Sequence, residues 1–118
     1  MVIVDQSRGR APEPLEVQDV VYGDEHTLVL VGELDVATAV EPERVIMSCV
    51  ESATRLTLDL SQLAFLDSTG VRLILFSQEL CGRHGAEFGL IRGPRQVQRV
   101  FEIAGLLDRL PFQTDPRA

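Results

Sequence analysis

The chain has 118 residues, of which 45% are apolar and 25% are charged, so its size and composition are those of one globular domain. A net charge of −7 argues against nucleic acid as a partner, because an acidic surface repels phosphate backbones, and favours a protein partner. The apolar run at residues 1–4 is too short for a signal peptide, and no run is long enough to span a membrane. The sequence therefore predicts a cytoplasmic protein with no membrane partner, and it leaves the oligomeric state open.

Strands and helices are predicted to alternate along residues 15–113, between a flexible arm at 1–14 and a polar tail at 114–118. Apolar runs predict strands at residues 15–22, 26–34, 55–60 and 87–91, with a short edge strand near 110–112. Helical spacing predicts helices at about 42–52, 69–82 and 94–104, and residues 61–66 are predicted to be a connection. The order β-β-α-β-α-β-α indicates a single α/β domain with a mixed sheet of four to five strands and three or more helices.

The start of the first helix has two signals that disagree. Asp35 precedes three residues of helical character and is predicted as an N-cap. Pro42 lacks the N–H group that an interior helical turn needs. The sequence therefore favours a helix that starts near Pro42 after a loose turn.

The segment Asp67-Ser68-Thr69-Gly70 lies between an apolar strand and a strongly apolar helix. A hydroxyl at this point would meet the unpaired N–H groups and the positive dipole end of the helix, where a phosphate is also favoured. The simplest interpretation is that Asp67 or Ser68 caps the helix.

The helix after this segment carries more apolar surface than one contact with a sheet requires. On a 3.6-residue wheel, Arg72, Glu79 and Arg83 form one narrow polar stripe. We therefore expect Leu75 or Phe76 to lie near solvent beside that stripe. Either neighbouring elements cover these side chains, or Arg72, Leu75 and Phe76 bind a partner.

Three short segments together resemble the STAS domains of bacterial anti-sigma factor antagonists. They are Gly-Glu-Leu-Asp at residues 32–35, Phe-Leu-Asp-Ser-Thr-Gly-Val at 65–71 and Arg-Val-Phe-Glu-Ile-Ala-Gly-Leu-Leu at 99–107. The segment at 32–35 is similar to the end of that family's central strand, and the segment at 65–71 resembles its phosphorylation motif. The segment at 99–107 is similar to its last helix and the turn beyond, so the resemblance covers about residues 15–112.

The resemblance implies a switch rather than an enzyme. It implies that Ser68 is phosphorylated by an anti-sigma factor that is itself a serine kinase, with Thr69 as a weaker additional acceptor. The unphosphorylated domain would sequester that kinase and release a sigma factor, and a serine phosphatase would remove the phosphate from Ser68. Asp67 would position the hydroxyl, Asp35 would shape the adjacent loop, and Gly70 would let the kinase approach the backbone.

Two other functions are weighed against the switch. A hydrolase would use Ser68 as its nucleophile, but His84 lies roughly 20 Å away along the helix and His26 starts a strand at the opposite end. A STAS module without a switch would instead act as a scaffold in a stress-sensing or lipid-transport complex.

No cofactor and no metal site are predicted. Cys49 and Cys81 form no CxxC pair, and neither histidine has the spacing of a ligand to them, so both are predicted to be buried, reduced thiols. Four acidic residues lie on separate predicted elements, without the spacing of a cation site: Glu33, Asp35, Asp59 and Asp67.

Overall fold

Six strands and three helices make up residues 15–113, the part of the chain that the computed structural model describes. The strands are β1 (Glu16–Tyr22), β2 (Glu25–Leu34), β3 (Arg55–Asp59), β4 (Leu63–Leu66), β5 (Glu87–Ile91) and β6 (Phe112–Gln113). The helices are α1 (Val40–Cys49), α2 (Ser68–His84) and α3 (Arg95–Ile103). The predicted α/β class is confirmed, and the predicted order of elements holds except for the additional strand β4. The predicted arm at 1–14 and tail at 114–118 lie outside the described residues.

One mixed sheet runs through the domain in the order β1-β2-β3-β5-β6. Strands β1 and β2 form an antiparallel hairpin, and the other pairs are parallel. The hairpin turns at Gly23, which has a φ of 62°. Glycine adopts this angle without strain because it has no Cβ to clash with the backbone. The parallel pairs are joined by helical crossovers, as the alternation of strands and helices predicts.

Strand β2 changes its partner half-way along its length. Residues 25–29 pair with β3, whereas residues 32–34 pair with β4 after a shift of register between Gly32 and Glu33. Gly32 has a φ of 121°, which residues with a side chain rarely adopt, and this is typical of a bulge. Beyond Val29 the strand leaves β3, and its last three residues pair with β4 instead.

Strand β4 corrects the prediction that residues 61–66 are only a connection. Its four residues are buried, exposed, exposed and buried in turn, so they lack the strict alternation that marks a strand in a sequence. The segment is extended because it pairs with the end of β2, and a sequence pattern does not report such pairing. The sheet consequently has six strands in the described residues instead of four or five.

Helix α1 begins at Val40, close to the predicted start near Pro42. Pro42 is the third residue of the helix, where the N–H group would have no partner inside the helix, so proline is tolerated there. Ala39 occupies the N-cap position without a side-chain hydrogen bond, and Asp35 is therefore not the N-cap of α1. The helix ends at Cys49, three residues before the predicted end near Ser52.

The core lies between the helices and the leucine-rich strands. By register, Leu28, Leu58 and Leu90 are neighbours on one face of the sheet. They are fully buried, in one cluster with Ile46 of α1 and Ile74 of α2. The burial of these apolar side chains is the main stabilising contribution to the domain.

Candidate functional site

The carboxyl ends of β2 and β4 lie side by side, next to the N-terminus of α2. Leu34 pairs with Leu66, and the backbone N–H of Asp67 donates to the carbonyl oxygen of Leu34 at 3.3 Å. Asp35 and Asp67 follow these two strand ends, so their backbones are neighbours. This arrangement agrees with the expectation that Asp35 lies near the Asp67-Ser68 segment.

Asp67 is the N-cap of α2. Its backbone is extended, and its carboxylate oxygen Oδ1 accepts hydrogen bonds from the N–H groups of Thr69 at 2.9 Å and Gly70 at 3.2 Å. Ser68, the first residue of the helix, is exposed, and its hydroxyl makes no hydrogen bond to another residue of the described chain. Capping therefore does not require the Ser68 hydroxyl.

Asp35 organises a tight turn between β2 and α1. Its carboxylate accepts a hydrogen bond from the N–H of Ala37 at 2.9 Å. The hydroxyl of Thr38 donates to the carbonyl oxygen of Glu33 at 2.7 Å and accepts from the N–H of Asp35 at 3.0 Å. These bonds satisfy the polar backbone groups of the turn and hold it next to the start of α2.

Gly70 is buried beneath the first turn of α2. A Cβ at this position would lie 2.9 Å from Cδ1 of Leu66, closer than real Cβ atoms come, and 3.0 Å from Cγ of Leu34, which is unusually tight. The absence of a side chain lets α2 pack closely on the ends of β2 and β4. The structure thus gives Gly70 a role in close packing, while access for a kinase at this position stays a prediction.

Exposed apolar side chains lie on the elements that meet at Ser68. Leu75 of α2 is 36% exposed and Phe76 is half-buried, as the wheel of this helix predicts. The exposure of three further apolar side chains was not predicted from the sequence: Val36 (73% exposed), Val40 (75%) and Phe65 (46%). Residues 63–66 are all apolar and do not alternate with polar residues. This is the one sequence signal that could have indicated the exposure of Phe65.

A groove of about 220 Å³ separates the first turns of α1 and α2. Its lining residues are Ala39, Glu43, Thr69, Arg72, Leu73 and Phe76. Thr69 is half-buried at this groove, whereas Ser68 is exposed beside it. The polar stripe of α2 is exposed as predicted, with Arg72 at the end nearest the groove.

Neither histidine lies near Ser68. His84 is the last residue of α2, about 24 Å from Ser68 at a rise of ~1.5 Å per residue. Its Nδ1 is 3.1 Å from the carbonyl oxygen of Leu80, one turn earlier. His26 is the second residue of β2, at the end of that strand remote from Asp35. The described residues therefore place no histidine base beside the hydroxyl of Ser68.

Both predicted buried thiols are confirmed. Cys49 and Cys81 are free and buried, in α1 and α2 respectively. Burial, followed by the charge of Asp19 and a hydrogen bond to it, raises the pKa of Cys49 to about 11. Burial alone raises the pKa of Cys81. These thiols are protonated at neutral pH and are poor nucleophiles.

The STAS domain family matches residues 16–117, nearly all of the domain described above. The chain belongs to the STAS domain family. Among curated STAS relatives, the anti-sigma-B factor antagonist of Staphylococcus epidermidis is 25% identical over 95 residues, which cover 80% of this chain and 88% of the relative. The anti-sigma-B factor antagonist of Staphylococcus aureus is 32% identical over 78 residues, which cover 65% of this chain and 72% of the relative.

Solved structures of anti-sigma factor antagonists have the same fold. The crystal structure of an anti-sigma factor antagonist from Mycobacterium paratuberculosis superposes with a TM-score of 0.80 at 25% identity, over 91% of this chain and 92% of that one. The anti-sigma factor antagonist SpoIIAA in its unphosphorylated form gives a TM-score of 0.71 at 22% identity, over 87% of this chain and 90% of that one. Among residues 15–113, no helix combines the length and the apolar character needed to cross a bilayer.

Proposed function

We propose that this STAS domain is an anti-sigma factor antagonist controlled by phosphorylation of Ser68. The unphosphorylated domain sequesters a cytoplasmic anti-sigma factor that is a serine kinase, and the sigma factor is released. The kinase phosphorylates Ser68 and thereby frees itself, and a serine phosphatase restores the binding form. The observation that carries this proposal is an exposed Ser68 hydroxyl that is not needed for helix capping and that lies among elements carrying exposed apolar side chains. The names of the Staphylococcus relatives support the same role.

Phosphorylation at Ser68 changes the surface without threatening the fold. A phosphoserine carries up to about two negative charges at neutral pH. The positive end of the α2 dipole tolerates this charge, because Ser68 is the first residue of the helix. A partner seated over Ser68 would have to desolvate that charge next to Asp35 and Asp67. This cost of a few kcal/mol weakens binding on the order of a hundredfold.

Arg72 extends the effect of Ser68 phosphorylation from the helix terminus to the partner-binding surface. It lies four residues after Ser68, on the same face of α2, and it is exposed. Within residues 15–113 it has no ion-pair partner, so its guanidinium is available to a partner protein. A phosphate on Ser68 would attract Arg72 within the helix. The modification therefore both adds a repulsive charge and withdraws a cation from the partner.

Ser68 is a better acceptor than Thr69. The Ser68 side chain is exposed, whereas Thr69 is half-buried at the groove between α1 and α2. The N–H of Thr69 is also fixed by the carboxylate of Asp67. A kinase can reach the Ser68 oxygen without moving either helix, and Thr69 remains the weaker acceptor.

The test uses the cognate kinase with ATP, and intact-mass spectrometry of the products. We expect one added phosphate on the wild type, none on Ser68→Ala, and one on Thr69→Val, which removes the neighbouring hydroxyl at nearly constant volume. Phosphate on Ser68→Ala would contradict the assignment of Ser68. A protein that captures only partners without kinase activity, and is never phosphorylated, would instead be a scaffold without a switch.

A further inference from the structure

Another polar cluster lies at the opposite end of β2, away from Ser68. It consists of Asp19 on β1, His26 at the start of β2 and Cys49 at the end of α1. In the hairpin, Asp19 pairs with Leu28, and His26 pairs with Val21, so the two polar side chains are diagonal neighbours on one face. The last turn of α1 brings Cys49 onto them. Three separate elements thus bring three different donor atoms together.

The spacing of these donor atoms fits a tetrahedral metal. The Nδ1 of His26 lies 3.1 Å from both carboxylate oxygens of Asp19, and the Sγ of Cys49 lies 3.8 Å from Oδ2 of Asp19. All three ligand atoms lie within 4.8 Å of one another. Around tetrahedral zinc, neighbouring N and O ligands are about 3.4 Å apart, and S and O ligands are about 3.6 Å apart. The cluster therefore needs only small side-chain adjustments to enclose an ion.

We propose that Asp19, His26 and Cys49 bind one Zn²⁺ ion, with water as the fourth ligand. A thiolate, an imidazole and a carboxylate together suit zinc, whereas Ca²⁺ and Mg²⁺ prefer sites made only of oxygen. Cys49 is 8% exposed, while the side chains of His26 and Asp19 are 16% and 36% exposed. The sulfur side of the site is thus enclosed, and the carboxylate side is open to solvent.

Zinc at this site would join the β1–β2 hairpin to the end of α1. The thiol proton of Cys49 leaves to solvent when the sulfur binds the metal. The proposal does not depend on the switch at Ser68, because that site lies at the other end of β2. Without metal, His26 and Asp19 form a hydrogen-bonded pair beside a buried thiol, and this alternative predicts no stoichiometric zinc binding.

The test starts from the full chain without an affinity tag, treated with a chelator and reducing agent. Titration with ZnCl₂ against a chromogenic chelator should give one equivalent bound. Titration with Co²⁺ should give the near-ultraviolet charge-transfer band of a cobalt–thiolate bond. We expect Cys49→Ser to lose that band and to bind zinc at least about 100-fold more weakly. Cys81→Ser, which changes the other buried thiol, should retain both the band and the affinity.

A further variant guards against a folding defect in Cys49→Ser. Asp19→Asn alters an exposed strand residue and should keep the wild-type circular dichroism while its zinc affinity falls. Zinc should raise the melting temperature of the wild type, but not that of Cys49→Ser. The absence of stoichiometric zinc on the wild type, or equal affinity in the wild type and both variants, would show that the cluster is only a hydrogen-bonded His26–Asp19 pair beside a thiol.

Discussion

The backbone N–H of Asp67 donates a hydrogen bond to the carbonyl oxygen of Leu34 at 3.3 Å, and this contact joins the ends of β4 and β2. It holds the cap of α2 beside the turn that Asp35 organises. Ser68 therefore follows the carboxylate that caps its helix, close to the turn that a second carboxylate, Asp35, organises. A charge added at Ser68 then acts on the surface that a partner meets, while the hydrogen bonds of the cap and the turn remain.

The cap at Asp67 should contribute measurably to stability. Asp67→Ala leaves the N–H groups of Thr69 and Gly70 without an acceptor, so we expect a loss of about 1 kcal/mol in the free energy of unfolding. For a domain of this size, that loss lowers the melting temperature by roughly 4–8 °C. Asp67→Asn is the matched control, because asparagine caps helices equally well. Wild-type stability in the alanine variant would contradict the role of the cap.

Ser68→Asp should separate stability from binding. A negative charge at the first residue of α2 interacts favourably with the helix dipole, so the free energy of unfolding should rise by about 0.3–1 kcal/mol. Affinity for the anti-sigma factor should fall on the order of a hundredfold. Chemical unfolding and calorimetric titration measure the two quantities, with Ser68→Ala as the uncharged control that keeps its affinity. Tight binding by Ser68→Asp would count against the switch.

Gly70 should not tolerate even a methyl group. Gly70→Ala places a Cβ against Leu34 and Leu66, and such overpacking costs about 1–3 kcal/mol in the free energy of unfolding. Gly82→Ala is the matched control in the same helix, because an added Cβ there meets nothing within 4 Å. That variant should be more stable than the wild type by about 0.5–1 kcal/mol. Urea unfolding compares the pair, and a stable Gly70→Ala variant would refute close packing as the reason for this glycine.

The partner surface should lie at the start of α2 rather than along its whole length. Arg72→Gln and Leu75→Ala change exposed residues, so we expect folding to be unaffected and affinity for the anti-sigma factor to fall by about tenfold or more. Arg83→Gln removes a cation from the far end of the same polar stripe and should bind like the wild type. Equal losses in all three variants would indicate a non-specific effect of charge or helix stability.

The buried thiol of Cys81 should make stability fall at alkaline pH. Burial raises the pKa of Cys81 above its usual value of 9.0. Below that value the thiol is protonated in both the folded and unfolded chains. Above it the unfolded chain loses the proton while the folded chain retains it, so the free energy of unfolding decreases as pH rises. The difference in the free energy of unfolding between the wild type and Cys81→Ala should therefore decrease as pH rises above about 9.0, measured by urea unfolding with reductant and chelator. A constant difference would contradict this linkage.

Local signals in the sequence were sufficient for most elements. The apolar run of β2 and the stripe of α3 each point to one structure, because a single pattern of burial governs the whole element. The cap at Asp67 was also predictable, since an acid before an apolar helical run is a common start signal.

Features that depend on contacts between distant segments were missed. Strand β4 exists because residues 32–34 of β2 pair with it, and the glycine at position 70 is explained by leucines on two strands. Asp19, His26 and Cys49 form a cluster only after the hairpin and α1 have packed together. Their separation along the chain matches no known ligand spacing, so no motif could have indicated it.

Strand β2 is divided between two hydrogen-bond ladders, and the irregularity after Gly32 lies in the second of them. The ladder with β3 holds the centre of the sheet, and the ladder with β4 holds the strand end that precedes Ser68. The ladder with β4 can open without breaking any pair of the ladder with β3, so the two can differ in local unfolding free energy. Amide hydrogen exchange in β4 can thus respond to events at Ser68 while β3 stays protected.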